Sequence, residues 1–193
     1  MQNLNLPESA PRGTILLVSG WRRVGKTTLL LAVRQAALAA GLSVGGLLSV
    51  ARFEDGAKTG IDVMDAATGD TLPLATVGTG GAVSTGRFTF DPAALEAGLA
   101  VAGRGQAADV FLVDELGPLE LVRGEGWAEV IPLIRRRAFG VALVVVRPEL
   151  VGQARAALGL PPDSPTIEID EAGRGALAEL VSAWVIRTLA AAP

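Results

Sequence analysis

Along this chain apolar residues gather in short unbroken runs, and most runs are followed by a stretch in which they recur at helical spacing. Residues 15–18 are the first run and read as a buried strand. Leu29, Leu30, Leu31, Val33, Ala36, Ala37 and Leu38 continue as a helix ending at Ala40-Gly41, where glycine suits the position just past a helix. Residues 44–50 read as a second strand, after which the apolar pattern lapses over 52–60. Residues 61–65 and 71–75 flank Ala66-Ala67-Thr68-Gly69-Asp70, a hairpin with a Gly-containing turn that is expected outside a parallel core. Residues 77–86 hold Gly78, Gly80, Gly81 and Gly86 and read as a mobile linker or lid. A short strand at 87–90 leads to Asp91-Pro92, an N-cap with proline at the first helical position, and the helix predicted there runs to about residue 102.

The second half keeps the alternation. Residues 110–115 are an apolar strand ending in two acids, 116–121 a turn, and 126–138 a helical pattern in which Pro132 predicts a kink or a restart. Residues 141–146 form a fully apolar strand that exits into Arg147-Pro148; a helix at 149–158, a strand at 166–169 and a closing helix at 171–191 follow. Strands without polar alternation, interleaved with helices, predict an α/β fold: a mainly parallel sheet with helices on both faces and a β-hairpin insertion at about 52–77. Half of the 193 residues are apolar, enough for the core of a single domain spanning 1–193.

Composition narrows the chemistry. With no cysteine and no histidine, thiol, imidazole and zinc chemistry are excluded, and carboxylates, Lys, Arg, hydroxyls, backbone and a hard cation remain. A net charge of -3 gives no electrostatic case for nucleic acid. Mean hydropathy is high at +0.43, yet the apolar runs are broken every four to eight residues, so no membrane span is predicted. The first eleven residues lack a basic region followed by an apolar stretch, so a cytoplasmic location is expected. Oligomeric state is not set by the sequence.

Two stretches carry chemistry. Gly20-Trp21-Arg22-Arg23-Val24-Gly25-Lys26-Thr27-Thr28 spells G-x-x-x-x-G-K-[ST] at a strand-to-helix turn, the setting of a phosphate-binding loop. Glycines let successive N–H groups turn toward an anion, and the helix that follows adds its positive end. Lys26 is expected at the β- and γ-phosphates and the Thr27 hydroxyl on Mg²⁺, while Thr28 supports the first helical turn. Of only two lysines, Lys26 and Lys58, against 15 arginines, one stands where a compact ammonium differs most from a guanidinium. The second stretch, Val110-Phe111-Leu112-Val113-Asp114-Glu115, matches a Walker B strand: Asp114 to hold Mg²⁺, and Glu115 to orient and deprotonate an attacking water. The Walker B strand is not expected to be the next in sequence after the loop strand. Arg147, at a strand's carboxyl end, is a candidate phosphate sensor or a structural ion-pair partner. Arg135-Arg136-Arg137 reads first as a solvated helix end that complements the dipole, and second as an arginine finger.

GWRRVGKTTLL, FEDGAKTGIDVMDAATGD, GRFTFDPAALEAGL and VFLVDELGPLEL together resemble the small stand-alone P-loop nucleoside-triphosphatases of the cancer-related or thermophile type, over residues 14–169. The resemblance implies the three-layer P-loop fold and Mg²⁺-dependent hydrolysis of ATP, GTP and other nucleoside triphosphates with broad base tolerance. It assigns phosphate binding to Gly25, Lys26, Thr27 and Thr28 and makes Asp114 and Glu115 the acidic pair. Glu120 also matches the pattern, with helix capping as its plainer role. Where the family usually has a further glycine in the loop, this chain has Arg23, beside Trp21 and Arg22. Trp21 could pack on the hairpin or face a partner. No Lys-x-Asp follows either lysine, so a guanine-reading element is absent, as is the Leu-Ser-Gly-Gly-Gln stretch of transporter ATPases. A P-loop nucleotide or polynucleotide kinase, with Arg52 and Lys58 lining an acceptor pocket, and a slow nucleotide-gated binding module remain as alternatives.

Overall fold

The computed structural model describes residues 6–7, 10–78, 83–85 and 87–190. Its single nine-stranded sheet has the order β5-β6-β4-β3-β2-β7-β8-β1-β9. The strands are β1 (Thr14–Ser19), β2 (Val44–Glu54), β3 (Ala57–Asp65), β4 (Thr71–Val77), β5 (Val83–Thr85), β6 (Phe88–Phe90), β7 (Val110–Leu116), β8 (Val141–Val146) and β9 (Thr166–Glu168). The run β2-β7-β8-β1-β9 is parallel, and β3, β4, β6 and β5 extend it antiparallel from β2.

Alternate side chains of the parallel strands feed two cores. Leu16, Val18, Leu112, Leu143 and Val145 point to one face, which is covered by α1 (Lys26–Ala39) and α5 (Arg174–Ala190) through Leu29, Leu30, Val33, Val181 and Trp184. Ile15, Leu17, Phe111, Val113 and Val144 point to the other face, under α2 (Pro92–Gly105), α3 (Val130–Arg135) and α4 (Val151–Leu158). Double coverage explains why these strands show no polar alternation. Asp91 caps α2 as its sequence predicts, accepting from Ala93 N–H at 2.9 Å.

Departures from the sequence reading fall where the sheet leaves this double cover. Residues 52–60 are ladder rather than loop: β2 runs on to Glu54 and pairs with β3 from Ala57 around a turn at Asp55 and Gly56. The tip, residues 53–57, is exposed and Arg52, Lys58 and Thr59 are half-buried polar residues, so no apolar pattern marks these strands. The hairpin read at 61–75 is antiparallel and lies outside the parallel run, as expected, and it is hydrogen-bonded into the same sheet between β2 and β6. Part of the stretch read as a linker is the edge strand β5; Gly80, Gly81 and Gly86 lie outside the described residues. The helix read over 126–138 is confined to Val130–Arg135 with Pro132 in its first turn, where a missing N–H costs nothing. A π-helical turn, Leu119–Arg123, stands within and beyond the turn read at 116–121. Between β1 and β7 in sequence come β2 to β6; in space, β8 separates them.

The amino ends of β2 and β7 are tied by Asp109, whose Oδ2 accepts from Ser43 Oγ at 2.7 Å and Ser43 N–H at 2.9 Å. The Ser43 hydroxyl first, then its N–H, hold this carboxyl below its usual range, so the stabilisation is present above the ordinary carboxylate pKa and is lost as pH falls through the lowered one. Asp109→Ala is expected to cost about 1 kcal/mol at pH 7 by urea unfolding, with the cost shrinking below pH ~3. A pH-independent cost would contradict the charged tie.

Candidate functional site

Because β1, β8 and β7 are parallel and in register, Val18 beside Val145 and Val113 beside Val144, their carboxyl ends open on one edge of the sheet. On that edge lie the loop after β1, the acids of β7 and Arg147 after β8, the position at which open α/β sheets bind ligands.

The loop is anchored from below and open above. Val24 is buried in the core beneath it, while Trp21, Arg22 and Arg23 are exposed. Trp21 is 74% exposed, so it does not pack into the hairpin. Gly25 caps α1 in a left-handed conformation (φ 107°), and no side chain caps this helix end. The amide edge of α1 thus faces the loop, as anion binding requires. Lys26 Nζ donates to Gly20 O at 2.6 Å and Trp21 O at 2.8 Å, which folds the ammonium back over the loop. Its pKa is lowered by burial, against the pull of Glu115 and Asp114. Thr28 is exposed at the start of α1.

Loop and acidic strand meet directly. Thr27 Oγ1 donates to Asp114 Oδ2 at 2.7 Å, and Ser49 N–H donates to the same oxygen at 3.2 Å. Ser49 Oγ also donates to the Asp114 carbonyl at 3.2 Å, a contact from β2 that no motif in the chain signals. Asp114 is buried, and burial pushes its carboxyl up to about 6 despite the bonds from Thr27 and Ser49. A buried carboxylate whose proton affinity is raised, touching a hydroxyl at the mouth of a phosphate loop, is an oxygen donor pair suited to a hard cation such as Mg²⁺. Among the described residues no cluster of three or more acidic, His or Cys side chains could hold a metal alone, so phosphate and water oxygens would have to complete the shell.

Glu115 is the next residue and points elsewhere. It is 44% exposed and sits at φ 81°, a left-handed conformation that a glutamate adopts at a cost of about 1 kcal/mol or more. Arg147 Nε and Nη2 both reach its Oε1 at 2.6 Å, so Oε2 stays outside the pair. Of the two sequence candidates for Arg147, the ion-pair partner is the one the geometry displays, on the edge of the sheet that carries the loop. Glu120 acquires a structural role: its carboxylate accepts from Gly117 N–H at 2.9 Å and Trp127 N–H at 3.3 Å, bracing the segment just after Glu115. Burial raises its pKa, partly offset by those backbone donors.

The remaining candidates sort by position. Arg137 Nη1 donates to Gly13 O at 3.0 Å, which places the Arg135–Arg137 cluster by the amino end of β1, on the opposite edge from the loop; an arginine finger in cis is ruled out. Arg52 pairs with Asp62 at 2.8 Å. Lys58 Nζ stands 5.1 Å from the centre of the Phe88 ring, with its pKa lowered by burial against the attraction of Glu115. Arg23 has φ 66° and so occupies the left-handed region without being glycine. That is the position where the resembled family usually has one. Arg23→Gly is expected to leave stability within about 0.5 kcal/mol of the parent, because relief of strain and added chain entropy oppose each other, while Arg23→Val costs over ~1 kcal/mol. Urea unfolding checks this, and equal stabilities for the Gly and Val variants would contradict the left-handed loop.

A loop after β1 that caps a helix end and a buried acid that contacts its threonine define a nucleotide-binding P-loop α/β protein. The family model described as NTPase matches residues 15–180, and the chain belongs to this family. Among its relatives, nucleoside-triphosphatase THEP1 of Thermofilum pendens is 34% identical over 107 residues, 54% of this chain and 59% of that protein. THEP1 of Caldivirga maquilingensis is 27% identical over 130 residues, 67% and 74% of the two chains. The chain thus spans about three fifths of the first of these relatives. Its fold is similar to the crystal structure of THEP1 from Aquifex aeolicus (TM-score 0.64, 19% identity, 87% of this chain and 96% of that one). It is likewise similar to the solution structure of a human cancer-related nucleoside triphosphatase (TM-score 0.66, 22% identity, 89% and 97%). Among the described residues no helix is long and apolar enough to cross a membrane.

Proposed function

We propose that the chain is a Mg²⁺-dependent nucleoside-triphosphate phosphohydrolase that converts ATP, GTP and other triphosphates to diphosphate and phosphate. The observation that carries this reading is the 2.7 Å hydrogen bond between Thr27 and Asp114, which joins the phosphate loop to the acidic strand tip with Glu115 immediately beyond. Thr27 and Asp114 would hold the cation, which supplies charge neutralisation at the phosphates. The α1 amide edge and Lys26 bind the phosphates and offset their negative charge. Glu115 orients the attacking water and accepts its proton. Arg147 is held on Glu115 by two short contacts, and a terminal phosphate competes for the same donors as a stronger anion. Transfer of Arg147 from the carboxylate to the phosphate leaves Glu115 free for water.

The kinase alternative needs cations to receive an acceptor, and of the two named for it Arg52 is already neutralised by Asp62, which leaves Lys58 beside the Phe88 ring as a single charge. Hydrolysis therefore takes precedence. Glu115→Gln should keep triphosphate binding and lose hydrolysis by about 100-fold or more, whereas Lys26→Ala weakens binding as well. Phosphate release from ATP, GTP, CTP and UTP, with and without Mg²⁺ and without any acceptor, checks this. Parental turnover by the Gln variant would remove Glu115 from its role.

A further inference from the structure

A nucleoside triphosphate is a line of charge with a nucleoside at one end, so placing one end on the protein fixes the direction of the other. Asp114, Glu115 and Arg147 lie on the β8 and β7 side of β1. On the other side stands β9, and the chain leaving it turns back onto the loop. Ile169 N–H donates to Ser19 O at 2.8 Å, and Ile169 O comes so close to Gly20 that a Cβ there has no room. At the start of α5, Arg174 lays its aliphatic stem against the loop: a Cβ built on Gly25 would stand 3.5 Å from its Cδ and 3.7 Å from its Cβ. Arg174 is exposed and enters no ion pair among the described residues. The turn before it, Asp170-Glu171-Ala172-Gly173, is closed by Gly173 N–H on Asp170 Oδ1 at 2.7 Å and contains no carboxamide or aromatic side chain.

We propose that residues 169–174 seat the nucleoside end of a bound triphosphate and that Arg174 packs the plane of its guanidinium on the base. The inference rests on the hydrolase reading above and adds how the base is held. With the terminal phosphate at the acids, the nucleoside leaves the loop on the β9 side, and Arg174 is the large side chain of this segment that stands beside Gly25 of the loop, a methyl group's width away. A guanidinium is planar and weakly hydrated and stacks on aromatic faces. Every base has such a face, so this contact accepts all nucleosides, with the larger purine face gaining most.

Equilibrium binding of non-hydrolysable ATP, GTP and CTP analogues, and of inorganic tripolyphosphate, is measured with Mg²⁺ on the parent, Arg174→Ala, Arg174→Lys and Arg174→Trp. Arg174→Ala should weaken all three nucleotides about ten-fold, purines most, and leave tripolyphosphate unchanged, which also shows the variant to be folded. Trp should restore nucleotide binding and Lys should not. Equal weakening of tripolyphosphate, or rescue by Lys alone, would make Arg174 a phosphate ligand and overturn the proposal, as would unaltered nucleotide affinity in the Ala variant. A parent chain that binds neither nucleotides nor tripolyphosphate would sink the hydrolase reading itself.

Discussion

A hydrogen bond from Thr27 to Asp114 is the constraint around which the site is built. It joins the first turn of α1 to the tip of a strand that does not even neighbour β1. Burying a carboxylate is costly, and here the cost shows as a proton affinity raised to about 6. The donors from Thr27 and Ser49 offset part of it. In the proposed hydrolase the remainder is offset by a divalent cation, which gives the apparent liability of Asp114 a use. The sheet supplies the spacing: β8 lies between loop strand and acid strand, in register with both, so the acids face the loop across the width of one strand.

Backbone conformation marks the same edge. Among the described residues four that are not glycine have positive φ, and two of them belong to this edge: Arg23 in the loop and Glu115 on the acidic strand. Glu115 is held there by what surrounds it: Arg147 on its carboxylate, and Glu120 fastening the backbone of Gly117 and Trp127 just downstream. The strain at Glu115 is thus kept in place by contacts from more than one segment.

Much of this could be read from residues alone, for physical reasons that also explain what could not. The loop, Asp114 and the strands β1, β7 and β8 were legible because local pattern and double burial coincide there. Strand order was not, since pairing β8 between β7 and β1 is a choice among non-local contacts that no periodicity encodes. The antiparallel extension is only half legible: its outer ladder at 52–60 is exposed at the tip, over 53–57, and half-buried beside it at Arg52, Lys58 and Thr59, which leaves no apolar alternation to detect. Glu120 could be matched to a pattern yet given no role, because what it binds is backbone, at Gly117 and Trp127, whose N–H groups carry no sequence signature. The union of Glu115 with Arg147 and the approach of Arg174 to Gly25 belong to the same class of facts, created by topology between distant segments.

If a shared divalent ion is what couples loop to strand, then triphosphate affinity must depend on that ion through Asp114. Titrating a non-hydrolysable triphosphate at increasing Mg²⁺ into the parent and into Asp114→Asn reads this coupling directly. Mg²⁺ should strengthen binding to the parent by about ten-fold or more and have little effect on the Asn variant. The same Mg²⁺ dependence in both proteins would mean that Asp114 holds no cation and that its contact with Thr27 is only structural.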